Sequence, residues 1–467
     1  MHGAVINSKS TTSTEPDPTT EKTISYLDEN SSRAQQLTYG IARMMTRDLQ
    51  PYSLVDDDGF LTLMKIAEPR YKIPSRTTFS QTIIPKMYED LKVHVKNEIS
   101  TAIRSNSVFA FTTDGWTSRA VQSYMSLTVH YITPEFVLKH NILNLEHVPE
   151  KHTHKYIQST IFNSLQTWSI DIEKPAFFTT DNGRNIAKAI NTYEKWTRIP
   201  CFGHCLQLVI KSAMKNYKEY EELRKRCRSI VTFFAKSTTA REKFMNVQKT
   251  LDDKQTPLKL IQEVDTRWNS TYAMFKRFIV LQKSLNVILC EEYMPDNLTI
   301  EEWNFMEALI MILEPLKEAT ENMSGDSYPT ISHYFPMYFA LMNILQEESA
   351  ENALITNISN SVQNALKTLG NTEEGPETFT TRKNREIQTC FAENLVPRKT
   401  NIIDWWKSNQ TRFPILSRAA KDCLAVPATQ VKSERLFSTA GNIVMQTRAR
   451  LLPVNVQGLC FLHENLK

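Results

Sequence analysis

Apolar residues recur at helical spacing through the first hundred positions. Ile41, Met44 and Met45 share a face, Leu61, Leu63, Met64 and Ile66 follow, and Tyr88, Leu91 and Val95 continue with Ile99 one turn on. This predicts a helical N-terminal region over residues 23–100. Its composition suits a small helical domain without a site as well as a binding or dimer-forming one. Residues 1–22 are rich in Ser, Thr, Pro and charge with almost nothing to bury, which predicts a disordered tail.

The period then changes. Val108 to Phe111 is a short run of strand formers, and Met125, Leu127, Val129 and Tyr131 alternate with Ser126, Thr128 and His130. Alternation of this kind marks a half-buried strand. Phe136, Leu138, Asn141 and Leu143 lead into a third candidate, which suggests an antiparallel meander. A helical face at Ile157, Ile161, Phe162 and Leu165 precedes another strand at Ala176, Phe177 and Phe178. Strands, then a helix, then a strand predict a mixed α/β sheet.

Beyond residue 205 the spacing is helical to about residue 350. Leu206, Val209, Ile210 and Met214 form one face, Ile279, Leu281, Leu285 and Ile288 another, and Met306, Leu309, Ile310 and Leu313 a third. Residues 370–400 turn polar, with Gly370, Gly375 and Pro376, and read as a linker. Apolar order returns at Ile403, Trp405 and Trp406. The expected units are 1–22, 23–100, 101–290, 291–400 and 401–467, the fourth being a helical insertion with the polar linker.

Composition narrows the picture little. The 467 residues carry a net charge of only +4, so an anionic partner would need a local concentration of Lys and Arg. No run of about 18 apolar residues suggests a membrane helix. The first residues have no apolar stretch of a secretory leader. The seven cysteines are scattered and odd in number, which fits a reducing compartment.

Two strand candidates end alike, in Phe111-Thr112-Thr113-Asp114 and Phe178-Thr179-Thr180-Asp181. Carboxylates at the edge of neighbouring strands are hard oxygen donors able to share divalent cations. Paired cations suit in-line displacement at phosphorus. Each Asp also precedes Gly or Asn-Gly, so either is equally a turn residue. Cys201, His204 and Cys205 resemble half of a zinc site, but no second pair follows at useful spacing, so no structural zinc is expected. Cys201 alternatively packs in the core, and His204 alternatively stabilises a helix start. Arg267 beside Trp268 offers a charge for a phosphate and a stacking face for a base, in a stretch that reads as polar rather than as an apolar stripe. Trp116 and Trp268 suit equally a half-buried role between core and surface. Arg224-Lys225-Arg226 with Arg228 reads as an import signal, a phosphate-contacting strip or a solvated helix face, and Arg448 and Arg450 as phosphate contacts or solvent-facing residues.

In order along the chain, Phe111 to Ser118, Thr180 to Ile186, Cys201 to His204 and Asp265 to Ser270 resemble successive motifs of hAT superfamily transposases. So does the terminal block with Leu424 to Thr429, Ser433 to Ser438, Ala440, Gly441, Arg448, Leu451, Pro453, Phe461, Leu462 and Asn465, which is similar to the hAT C-terminal dimerisation region. The flavour is that of BED-finger transposase-derived proteins of animals. The resemblance implies a ribonuclease-H-like mixed sheet interrupted by a long all-helical insertion, its core split between residues 101–290 and 401–467. It places a catalytic, metal-holding triad on Asp114, Asp181 and Glu434, with Mg²⁺ or Mn²⁺ as cofactor. It places DNA contacts on Trp116, His204, Arg267 and Trp268. The activity implied is phosphodiester cleavage, with a hairpin left on the flanking DNA, and strand transfer. A homodimer or higher homo-oligomer through the C-terminal region, DNA as partner, no membrane and a nuclear location complete the set. A last helix burying Val456, Leu459 and Cys460 would border the interface. No Cys precedes Cys201, so the Cys-x-x-Cys of an N-terminal BED finger is not in this sequence, and the insertion is short. Those departures favour the alternative of a domesticated, catalytically inactive nuclear protein that binds DNA and dimerises.

Overall fold

The computed structural model describes residues 25–118, 121–215, 217–254, 256–264, 267–348, 353–370, 386, 389–390, 392–393, 396–397, 400–444 and 451–466. The expected tail 1–22, most of the polar linker, Asp265, Arg448 and Arg450 lie outside these residues. The chain divides into two compact units, Met1–Tyr88 and Glu89–Lys467.

In the first unit, helix α1 (Ser32–Arg47) starts at Ser31, whose hydroxyl accepts the Ala34 N–H. It buries Ile41, Ala42 and Met45, matching the sequence pattern. Helix α2 (Asp58–Ala67) buries no residue and leaves Leu61, Leu63 and Ile66 exposed. Helix α3 (Ile84–Arg104) carries the boundary between the units.

The second unit is built on a mixed sheet of five strands among the described residues, in the order β3-β2-β1-β4-β5. Strands β1 (Phe109–Thr117), β2 (Ser123–Ile132) and β3 (Leu138–His147) form the expected antiparallel meander. Helix α4 (His154–Thr167) then carries the chain to β4 (Ala176–Thr180), which pairs parallel to β1. Helix α5 (Arg184–Asn191) returns it to β5 (Trp196–Pro200), parallel to β4. Phe111 of β1 and Phe178 of β4 stack at 4.9 Å between ring centres in the core. On β3 a bulge opens between the partners of Leu127 and Thr128, and the Asn465 side chain clasps Ile142 there, accepting its N–H and donating to its carbonyl, each at 3.0 Å. A sheet edge is thereby satisfied from the far end of the chain.

Directly after β5 the chain enters a helical body. Its helices are α6 (Phe202–Met214), α7 (Lys218–Lys236), α8 (Thr238–Leu251), α9 (Trp268–Val280), α10 (Gln282–Ile288), α11 (Ile300–Asn322), α12 (Tyr334–Glu348) and α13 (Ala353–Gly370). They share one apolar core that includes Val209, Cys227, Phe275, Leu309 and Ile358. The stretch from Ile279 to Ile288 is two helices, not one. The chain breaks at Leu281, which leaves the helical conformation and buries its side chain.

The basic run on α7 is divided between the core and the surface, with Arg224 buried, Arg228 half-buried, and Lys225 and Arg226 exposed. Arg224 is buried against Glu263 and also pairs with Glu221, Arg226 pairs with Glu302, and Arg228 reaches Glu263. Each of these guanidinium groups is paired with a carboxylate, but only that of Arg224 lies in the interior of the helical body.

The chain returns to the sheet through α14 (Ile402–Asn409), α15 (Pro414–Leu424), α16 (Val431–Ile443) and α17 (Pro453–Asn465). The segment before α16 is pinned on three sides. The Thr179 hydroxyl donates to Pro427 O (2.6 Å), Phe202 N–H donates to Ala428 O (2.8 Å), and Ala428 N–H donates to the Thr330 hydroxyl (2.9 Å). Val456, Leu459 and Cys460 are buried within the subunit itself. Among the described residues no helix is long and apolar enough to cross a membrane.

Candidate functional site: a carboxylate cleft

Register places the two aspartates together. Phe109 pairs with Ala176 and Thr112 with Thr179 on parallel strands. Carried two residues further, the same offset brings Asp181, in the turn just after β4, to the level of Asp114, and both line one cleft. Strand β1 does not end at Asp114, as the sequence suggested. It continues to Thr117 paired with β2, while β4 stops at Thr180. Asp114 therefore sits where β1 loses its β4 neighbour, which opens that edge.

Alternation along a strand puts Thr112 and Asp114 on one face. The Thr112 hydroxyl lies 3.1 Å from the Ser433 hydroxyl of α16. Glu434 is the next residue, in the first turn of α16. Two buried hydroxyls thus fix the start of the helix that carries the third carboxylate against the strand that carries the first. Thr112 is held in turn by Thr128 at 2.5 Å, and Thr128 by His130 Nε2 at 2.9 Å.

The turn after β4 is built around Asp181. Its Oδ1 accepts the Gly183 N–H at 3.0 Å, and a Cβ at position 183 would stand 3.0 Å from the same oxygen, so any side chain there would press on this carboxylate and shift it by a few tenths of an ångström. Arg198 of β5 braces the turn, donating to the Thr180 hydroxyl (2.8 Å), Asp181 O (2.6 Å) and the Asn182 side chain (2.5 Å).

One cleft of 1010 Å³ is lined by Asp114, Asp181 and Glu434 together with Trp116, His204, Arg267 and Trp268. All seven residues singled out from the sequence therefore border one cleft, although they come from β1, the turn after β4, α6, the start of α9 and α16. Trp116 is half-buried and stacks on Phe437 at 5.9 Å. His204 lies half-buried in the first turn of α6, and Arg267 is exposed at the start of α9. Trp268 departs from expectation. It is 5% exposed and begins an apolar stripe with Tyr272 and Phe275, so it belongs to the core of the helical body and shows the cleft only a margin. Its backbone N–H donates to Gln207 Oε1 at 3.0 Å, which ties α9 to α6. Cys201 takes its core reading, since it is buried and burial pushes its thiol up to about 12. Sequence reasoning missed Arg198, Gln207 and the Thr112–Ser433 contact, because single polar residues carry no periodic signal.

Electrostatically the cleft holds two guanidinium groups, Arg267 and Arg435, but neither forms an ion pair with its three acids. Burial, and then the charges of Asp181 and Glu434, raise the Asp114 carboxyl to about 7, against the lowering effect of the Gly115 N–H. Among the described residues no Lys or Arg pairs with any of the three acids. The Gln430 Oε1 is buried at the same cleft without a hydrogen-bond partner among them. Hard oxygens, excess negative charge and an orphaned carbonyl oxygen suit a hard divalent cation in donor type. Among the described residues, however, no three His, Cys, Asp or Glu side chains are grouped closely enough to hold an ion as they stand.

The raised Asp114 pKa has a consequence for the metal-free protein. Unfolded, this carboxyl titrates near 3.8, and folded near 7, so the native state binds the proton more tightly. The associated stability is present below pH about 4 and is lost as pH rises through about 7. In chelator, the Tm of the wild type should fall across that window more than that of Asp114→Asn. Parallel Tm profiles of the two proteins would contradict the burial of this charge.

Comparison with known proteins adds the following. Residues 112–196 match the ZBED1 RNase-like domain, residues 199–312 the ZBED1 RNase-like helical domain, and residues 386–466 the hAT family C-terminal dimerisation region. The RNase-like match covers most of the sheet, and the helical match begins where the helical body begins. The chain is similar to the human zinc finger BED domain-containing protein 4 (23% identical, 93% of this chain, 44% of that protein). It is also similar to the putative AC transposase of Zea mays (22%, 86% of this chain, 61% of that protein). A third relative is the Hobo transposase of Drosophila melanogaster (27%, 65% of this chain, 46% of that protein). The chain thus spans less than two thirds of the length of each of these relatives.

Proposed function

Given that the chain is a hAT/BED-type protein of ribonuclease-H-like fold, carrying the hAT dimerisation region, we propose that it is a transposase-type nuclear protein that binds DNA as a dimer or higher homo-oligomer and cleaves and transfers its strands at the carboxylate cleft. The observation that carries this reading is the meeting of Asp114, Asp181 and Glu434 in one cleft with Arg267, His204 and Trp116 around them.

In this reading Asp114, Asp181 and Glu434 hold Mg²⁺ or Mn²⁺. Bound there, the cations supply charge for the attacking and leaving oxygens of an in-line displacement at phosphorus. The chain's own groups do the rest. The exposed Arg267 guanidinium binds a backbone phosphate as DNA enters. His204, in the first turn of α6, approaches the scissile phosphate. Trp116, packed against Phe437 and Tyr124, offers a base the part of its ring that borders the cleft, and the Trp268 margin bounds the far wall. Gly183 and Arg198 keep Asp181 oriented.

A second reading, a dimerising DNA-binding protein without catalysis, is favoured by one observation. The three acids are not gathered at ligand distance, and drawing them together works against their mutual repulsion. A nicking assay on supercoiled and on branched DNA separates the two. With Mg²⁺ or Mn²⁺ the chain should nick DNA, and EDTA should abolish nicking while DNA binding in a mobility shift persists in part. Binding without nicking at any metal concentration would establish the second reading. Failure to bind would remove both.

A further inference from the structure

The carboxylate edge has a second side. Away from Glu434, Asp114 and Asp181 also border a separate recess of 290 Å³, walled by Met125, Val148, Tyr156, Ile157 and Ile186, with Arg184 at its lip. None of its side walls belongs to the cleft described above. We propose that this recess is a nucleotide subsite, which takes one unpaired nucleotide adjoining the phosphate held at Asp114 and Asp181. This deepens, and rests on, the reading of the cleft as a DNA-cleaving site.

The walls match that occupant in three respects. Their lining is mostly apolar, with Met125 and Ile157 nearly buried, so the space rewards a flat, weakly hydrated group such as a base. Tyr156 stands half-exposed in the first turn of α4 and supplies an aromatic ring for stacking. The positive groups are at the rim. Arg184 is exposed, makes no ion pair among the described residues, and opens α5 directly after the Asp181 turn. The starts of α4 and α5 both border the recess, and helix N-termini favour a phosphate. A volume near 300 Å³ is at the small end of ligand sites, enough for a single unit and too small for a duplex.

The recess is also braced. Asn185 Nδ2 donates to His152 O at 2.7 Å, joining the start of α5 to the loop before α4. Gln158 Nε2 donates to Ala189 O at 2.8 Å, holding the two helices together. His152 is further fixed against Val148 O at 3.3 Å. A wall held by side-chain to backbone bonds from both helices keeps its shape when empty, which lowers the ordering cost of binding.

The test uses the full chain and a set of single-stranded oligonucleotides, each with one abasic residue at a successive position. Affinity is read by fluorescence anisotropy in Ca²⁺, and cleavage in Mg²⁺ maps the scissile bond. In the wild type, an abasic residue next to the scissile phosphate should weaken binding about 5- to 150-fold, the range for losing one stacked base. In Tyr156→Ala the same abasic residue should weaken it less than about twofold. Trp116→Ala, in the neighbouring cleft, should leave the full penalty in place. A penalty unchanged by Tyr156→Ala, or removed by Trp116→Ala instead, overturns the subsite while leaving the cleavage reading intact. A wild-type chain that fails to bind these strands, or binds them without cutting any, overturns the cleavage reading and the subsite with it. Circular dichroism and Tm confirm that the half-exposed Tyr156 substitution leaves the fold unchanged, and Tyr156→Phe, which keeps the ring, should restore the full penalty.

Discussion

Glu434→Gln should reduce metal-dependent nicking by at least about 10²–10³-fold, the scale on which one charge-stabilising group in a preorganised site acts. The fold should survive intact. Glu434 is exposed, and its amide replacement has the same shape. The helix that carries it is held by its neighbours, Ser433 against Thr112, Arg435 against Asp326, and Lys432 against Asp326 at 2.9 Å. Denaturation midpoints of the two proteins should therefore coincide, and so should their affinities for DNA in the absence of divalent cation. With cation present, the wild type alone should gain affinity. Nicking that is equal in wild type and Glu434→Gln would end the three-carboxylate account, whatever happens at Asp114 and Asp181. Nicking absent from both would leave the non-catalytic reading.

Glu434 shows the limit of what the amino-acid order reveals. Asp114 and Asp181 carry a partial physical signal, since each follows a short apolar strand with the same Phe-Thr-Thr lead and parallel pairing of equal leads puts their ends level, although each reads equally as a turn residue. Glu434 has no such signal. It sits on an amphipathic helix beside Arg435, and only the resemblance of the terminal block singled it out. The contact that seats it, Thr112 to Ser433, spans 321 positions and involves two hydroxyls of a kind that surface strands and helices equally present to water. The strand Trp196–Pro200 was missed for a related reason. It is an edge strand with Thr197 and Arg198 at its centre, and Arg198 turns inward to brace the Asp181 turn rather than outward to solvent. Trp268 was legible and was misread. Its immediate neighbours are polar, but Tyr272 and Phe275 recur four and seven residues on, which is the stripe of a buried helical face.

The basic run on α7 leads to the largest stability effect in the helical body, at Glu263. Its side chain is fully buried and accepts from Arg224 at 3.1 and 3.0 Å, from Arg228 at 3.1 Å and from the Thr271 hydroxyl at 2.6 Å. Glu263 lies on the segment that leads into Arg267 and Trp268, and Thr271 on the helix that follows. One carboxylate therefore ties this approach to α7 and to α9 together. Glu263→Ala would take from Arg224, itself buried, the carboxylate that accepts two of its bonds, and from Arg228 and Thr271 an acceptor they share. Removing one partner from a buried ion pair costs about 3–5 kcal/mol, because the remaining charge keeps its desolvation penalty. The denaturation midpoint of the helical body should fall accordingly, and Glu263→Gln should fall between the two. A control separates the pair from the packing. Glu263→Met combined with Arg224→Met replaces the charges by apolar groups of similar length, and should recover much of the loss, since a buried pair exchanged for packed hydrophobic groups is often nearly neutral. Hydrogen exchange in Glu263→Ala should rise first in residues 258–264 and 267–272, and affinity for DNA should fall through the loosened Arg267. A loss below about 1 kcal/mol, the scale of an exposed pair, would show that water already solvates this carboxylate and that the segment before α9 is anchored elsewhere.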